Sequence, residues 1–203
     1  FKMKKALLLV SILFISVVTT ACINNLAVQE LNNKAAAFME QGNYNEAIER
    51  LKSSIDLDSS LYESHYNLAI AYTKAEDYPN AISAYEKTIE LKPDFADAYY
   101  GVAVVQEDLI ADLNTGVLEV GENGNIEKVQ QKDNADVDDE KPFVVSEKSK
   151  QYIASLTDAA IKNYELYLSK NPAADDADDV QSHVKDLKLR LNSSSQPAAI
   201  AQE

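Results

Sequence analysis

"HYNLAIAYTKAEDYPNAISAYEKTIELKPD", residues 65–94, repeats the stretch just before it, "LNNKAAAFMEQGNYNEAIERLKSSIDLDSS", residues 31–60. The two align without gaps. Phe38 matches Tyr72, Tyr44 matches Tyr78, Ala47 matches Ala81, Leu51 matches Tyr85 and Ile55 matches Ile89, each pair 34 residues apart. A constant period of this length marks a repeat architecture, in which each unit buries its apolar face only against its neighbours.

Each copy reads as two helices. Leu31, Ala35 and Phe38 in the first copy, and Leu68, Ala69 and Tyr72 in the second, recur at three- and four-residue intervals and make one apolar stripe. Gly42 gives the first copy a residue free to take turn conformations closed to others. "EDYPNA" is expected to do the same in the second, with Pro79 near the start of the next helix. Ala47 and Ala81 are small where two antiparallel helices would approach most closely, and Pro93 stops the second helix.

A third copy opens at "ADAYYGVAVVQEDL", residues 96–109, with Tyr99, Val102 and Ala103 one period after His65, Leu68 and Ala69. The register then fails, because Thr115 stands where an alanine should. A step of 45 residues restores it: in "DAAIKNYELYLSKNP", residues 158–172, Ala160 answers Ala81, Tyr164 answers Tyr85, Leu168 answers Ile89 and Pro172 answers Pro93. The third unit is therefore interrupted.

The aromatic in the first helix, the aromatic near the turn, the alanine and the closing proline resemble the tetratricopeptide repeat. The resemblance implies an all-α, right-handed superhelical solenoid of about three helix-turn-helix repeats with a C-terminal capping helix. The expected divisions are repeat one 28–61, repeat two 62–95, repeat three 96–112 with 148–172, an insertion at 113–147, a cap at 174–192 and a disordered tail at 193–203. Val180, Val184, Leu187 and Leu191 lie on one side of the cap, whose acidic start and basic end suit the helix dipole. Within the insertion, "VLEVGENGNIEKV" alternates about an Asn-Gly pair and predicts a β-hairpin. The helix stripes on either side are expected to run on, toward Leu113 in one helix and back through Leu156 and Ile153 in the other.

The first residues are a separate object. Lys2, Lys4 and Lys5 precede "ALLLVSILFISVV", residues 6–18, an uncharged run that suits an export signal and is short for a membrane span of about 20 residues. The lone cysteine, Cys22, follows Ala21 in "TTAC". This resembles the bacterial lipobox, with Thr19 where an aliphatic residue is usual, and implies a signal over 1–21, lipidation of Cys22 and a short tether over 22–27. Ile23 is not the aspartate that retains such proteins in the inner membrane of enteric bacteria. The expected location is the cell envelope, facing the periplasm from the outer membrane if the source is Gram-negative.

At a formal net charge of −14 the surface repels phosphate backbones, which excludes nucleic acid as a partner. Removing the three signal lysines makes the body more acidic still, so attachment to anionic lipid must come from acyl chains. Chemistry has little to stand on. His65 and His183 are the only histidines, and no phosphate loop, nucleophile motif or metal-ligand spacing occurs. No cofactor or catalytic residue is expected. Asp133, Asp136, Asp138, Asp139 and Glu140 lack the glycine and terminal glutamate of a calcium loop and read as a solvated acidic segment.

By resemblance, ligand segments lie along the first helix of each repeat. Carried over, the groove positions are Asn32, Ala36 and Met39; Tyr66, Ile70, Thr73 and Lys74; and Tyr100, Val104 and Glu107. Chaperone-binding members clamp a terminal carboxylate with basic and asparagine side chains, for which Asn32 and Ala36 are the wrong residues. The reading is a lipid-anchored adaptor for other envelope proteins, binding through the groove and the insertion. The alternatives are an accessory or sensory lipoprotein using the acidic insertion for a ligand or ion, and self-association through the groove.

Overall fold

A computed structural model describes residues 25–129 and 144–194. The signal, Cys22, the acidic run from Asp133 to Glu140 and the tail from 195 lie outside these residues. The chain divides into two compact units, one ending at Glu76 and the other starting at Asp77. Across both, the described residues form seven helices and one two-stranded sheet.

The first unit holds α1 over residues 25–40, α2 Tyr44–Leu57 and α3 Tyr62–Lys74. The turn after α1 is a Schellman motif: Asn43 N–H donates to Phe38 O at 2.9 Å, Gly42 N–H donates to Met39 O at 3.1 Å, and Gly42 has φ of +74°. One period later the left-handed residue is not a glycine. Glu76 takes φ of +57°, and its N–H donates to Thr73 O as Gly42 donates to Met39 O. Pro79 sits in the first turn of the following helix, as expected, and the left-handed backbone falls on Glu76. Inside the unit, Ala35, Ala47, Leu51 and Ala69 are buried, and a polar chain crosses all three helices. In it the Ser54 and Ser64 hydroxyls lie 3.2 Å apart, and Asn32 Nδ2 donates to Ser64 Oγ at 3.1 Å.

The second unit holds α4 Tyr78–Leu91, α5 Ala96–Thr115, β1 Leu118–Val120, β2 Ile126–Lys128, α6 Glu147–Lys170 and α7 Ala177–Ser194. Ile110 stands at the turn position of Gly42 and Glu76. A β-branched residue tolerates positive φ poorly, so no turn forms there. The helix continues, burying Leu109 and Leu113 completely, until Gly116 at φ of +75° ends it. At 20 and 24 residues, α5 and α6 exceed the 13 and 14 of α3 and α4 by two to three turns. The insertion expected from residue 113 thus gives its first residues to α5, and its last to α6.

The hairpin forms at the tip as expected, antiparallel, with Leu118 opposite Lys128, Glu119 opposite Glu127 and Val120 opposite Ile126. Its turn is not the two-residue Asn-Gly type, which needs positive φ at both residues; among the two, only Gly124 has it. Lys148 Nζ donates to Glu122 O and Ser149 Oγ accepts from Val120 N–H, tying the hairpin back to α6. Ala81 and Ala160, the repeat equivalents of Ala47, are fully buried, as is Ala103. Around Ala103 and Ala160, Tyr99, Tyr164 and Tyr167 form one core with Val180, Val184 and Leu187 of α7.

Candidate binding surfaces

In the first unit, the groove positions fall on α1 and α3, which the Asn32–Ser64 hydrogen bond holds side by side. Asn32, Ala36 and Met39 share one face of α1 at four- and three-residue spacing, and Tyr66, Ile70 and Thr73 share one face of α3. Ala36 and Lys74 are exposed, and Met39, Tyr66, Ile70 and Thr73 are half-buried. Two of these polar groups are already engaged. Asn32 spans the helices, and the Thr73 hydroxyl donates to Ala69 O at 2.8 Å on its own helix.

The third set, on α5, is placed differently. Tyr100 lies 5.6 Å from the Tyr164 ring and 5.1 Å from the Tyr167 ring, centroid to centroid, and is 37% exposed. Val104 packs against the core that α6 and α7 share. Glu107, expected on an open groove, instead accepts from the Tyr164 hydroxyl at 2.6 Å and meets His183 Nε2 at 2.8 and 2.9 Å. The reason is the cap: α7 seats on the same face of α5 that would line a groove. Burial, with the bond to Glu107 second, raises the pKa of the Tyr164 phenol. The bond to Asp176, with burial second, pushes Tyr167 up to about 12.

A cavity of about 790 Å³ opens between the last two turns of α7 and the extended halves of α5 and α6. Ile110 and Ala111 line one wall, Ile153 and Ala154 another, and Leu187 and Leu191 the third, with Lys150 and Arg190 also at its lining. This cavity was not expected from the sequence. Its signal was the extension of both helix stripes past the repeat boundary, which places a second pair of walls beyond the cap.

His65 is structural: buried, its Nε2 lies 3.1 Å from Ser59 O. One period on, Tyr99 donates to Pro93 O at 3.0 Å over the same six-residue reach. No cluster of three or more His, Cys, Asp or Glu among the described residues could hold a metal ion. No helix among them is long and apolar enough to cross a membrane.

A family model described as "TPR repeat" matches residues 35–75, and one described as "Tetratricopeptide repeat" matches residues 62–95. The fold is the tetratricopeptide-repeat fold. Solved structures of this fold align over most of the chain. The first tetratricopeptide domain of Spaghetti (RPAP3), bound to the HSP90 peptide SRMEEVD, matches with a TM-score of 0.54 at 16% identity, over 82% of this chain and 94% of that one. The Sgt2 tetratricopeptide domain from Aspergillus fumigatus gives 0.55 at 14% identity, over 87% and 88%. MamA gives 0.52 at 22% identity, over 88% and 81%. At these identities the likeness is one of fold. No curated protein matches the sequence. In this chain the fold carries a lengthened α5–α6 pair, a hairpin at its tip and a cavity between α5, α6 and α7.

Proposed function

We propose that this chain is a lipid-anchored, non-enzymatic adaptor of the bacterial cell envelope that binds segments of other proteins. The observation that carries this reading is the two-helix face of α1 and α3. There Met39, Tyr66 and Ile70 stay only half-buried, beside a core of Ala35, Ala47, Leu51 and Ala69 that is closed to solvent. Apolar and aromatic side chains set in a rigid helical face suit a peptide segment, with Tyr66 as the anchor type enriched at such sites. The Spaghetti domain of the same fold holds an HSP90 peptide. The basic and asparagine positions needed for a terminal carboxylate are Asn32 and Ala36 here, so the segment favoured is internal and apolar rather than an acidic chain end.

The anchor rests on the sequence: a charged start, a 13-residue uncharged run and Cys22 after Ala21. Two acyl chains at Cys22 would hold the acidic body near a membrane without its lying on the headgroups. Metabolic labelling with an alkyne fatty acid should mark the chain and fail with Cys22→Ser. Envelope partners cross-linked to the wild type should be lost with Tyr66→Ala/Ile70→Ala. Unchanged partners would move binding off this face, and labelling of Cys22→Ser would remove the anchor.

A further inference from the structure

The cavity between α5, α6 and α7 deepens the adaptor reading, on which this inference rests. From Glu107 to Asn114 on α5 and from Lys150 to Thr157 on α6, each wall spans eight residues, a rise of about 10 Å along the helix. The walls continue the apolar seam that α7 already fills with Val180, Val184 and Leu187. A helix therefore occupies the first part of the seam, and the same spacing of ridges recurs in the open part.

The charged side chains at the cavity balance, Glu107 and Glu147 against Lys150 and Arg190, in a chain that is otherwise acidic. Glu147 is held by Lys150 at 2.6 Å, and Glu107 is held by Tyr164 and His183. Arg190 pairs with no carboxylate among the described residues. In a protein of net charge −14, Arg190 is thus a cation without an ion-pair partner beside an apolar cleft. The walls also carry Asn114 and Gln151 between the apolar residues. An alkyl chain would leave these polar groups facing hydrocarbon, whereas the polar edge of a helix can satisfy them.

We propose that this cavity docks a short amphipathic helix of a partner protein, two to three turns long, with apolar residues at three- and four-residue spacing and an acidic residue that meets Arg190. It is a second contact site, separate from the α1–α3 face and built by the lengthened third repeat.

The test selects helical peptides from a displayed library on the full chain and measures recovered peptides by fluorescence anisotropy. Recovered binders should carry the apolar stripe and an Asp or Glu, and should weaken at least tenfold against Ala154→Glu and against Arg190→Glu. Replacing the peptide's acid by Lys should restore binding to Arg190→Glu. Arg190 is exposed, so that charge swap still decides the matter if Ala154→Glu disturbs folding as read by circular dichroism. The proposal is overturned if no helical binder is recovered, if binders show no acidic preference, or if neither variant weakens them. It is equally overturned if palmitate displaces them, which would make the cavity an amphiphile site. Binders lost with Tyr66→Ala/Ile70→Ala but kept by Ala154→Glu would leave the adaptor reading standing and remove this one.

Discussion

Glu107 of α5 and His183 of α7 face each other across 76 residues of sequence, with the imidazole Nε2 at 2.8 and 2.9 Å from the two carboxylate oxygens. A carboxylate only accepts, so with Glu107 ionised Nε2 carries the proton, and the Tyr164 hydroxyl donates to the same carboxylate. One side chain of α5 thus receives a donor from α6 and a donor from α7. Glu107→Ala leaves both donors without it, and the expected loss is about 1–3 kcal/mol in chemical denaturation. Hydrogen exchange should speed most in α7, because that helix loses its polar seat. An exchange pattern raised equally in α4 would assign the bond no special part in holding the cap.

Alkaline stability should follow the tyrosines. Tyr167 donates to Asp176 at 2.7 Å, and this bond with burial pushes its phenol to about 12. In the unfolded chain the phenol titrates near 10. The folded form therefore keeps a proton that the unfolded form has lost, and stability from this group is fully present below about pH 10 and disappears as the pH rises toward 12. Tyr164, raised by burial and by Glu107, adds to the loss in the same direction. Urea midpoints measured from about pH 9 to 12 should fall in the wild type and fall less steeply in Tyr167→Phe. Identical slopes would mean the phenol is not held by Asp176 in solution.

The period of 34 residues made most of the helix pairs and the burial of Ala47, Ala81 and Ala160 legible in the sequence, because spacing alone places a residue on a helix face. The hairpin around Gly124 was legible from alternation. Three features were not. Glu76 has no composition signal for left-handed backbone; its conformation comes with the way α3 ends, where its N–H is taken by Thr73 O. Glu107 carries a groove position's spacing, yet its partners are set by where α7 lands, 76 residues on. The cavity required knowing that Ile110 lets α5 run straight through a turn position, so that walls exist beyond the cap.

Gly42 and Glu76 take left-handed backbone at the same repeat position, and they should respond oppositely to substitution. Left-handed backbone costs a residue with a Cβ roughly 1–2 kcal/mol. A Cβ on Gly42 would meet nothing within 4 Å, so Gly42→Ala tests the backbone term alone and should destabilise by about 1 kcal/mol. Glu76→Gly should stabilise by a similar amount, since the strain it relieves exceeds what glycine adds to unfolded-chain freedom. Thermal or urea unfolding of both variants checks this. A destabilised Glu76→Gly would mean that the glutamate side chain contributes more than its backbone strain costs.

Gly101 sits in the middle of α5, where alanine would ordinarily be better by about 1 kcal/mol. Its place is explained by Tyr85 of α4, whose ring would stand 2.5–2.8 Å from a Cβ there. Tyr85 is buried, with 4% of its surface exposed, so the ring cannot swing into solvent without giving up its packing. Gly101→Ala should therefore destabilise by about 1–3 kcal/mol despite its helix propensity. The discriminating measurement is the double-mutant cycle with Tyr85→Leu, which removes the ring. Once Tyr85→Leu is in place, the methyl added at Gly101 should become neutral or favourable. If its cost stays the same, the obstacle is not the ring, and the close approach of α4 to α5 must be set by their backbones.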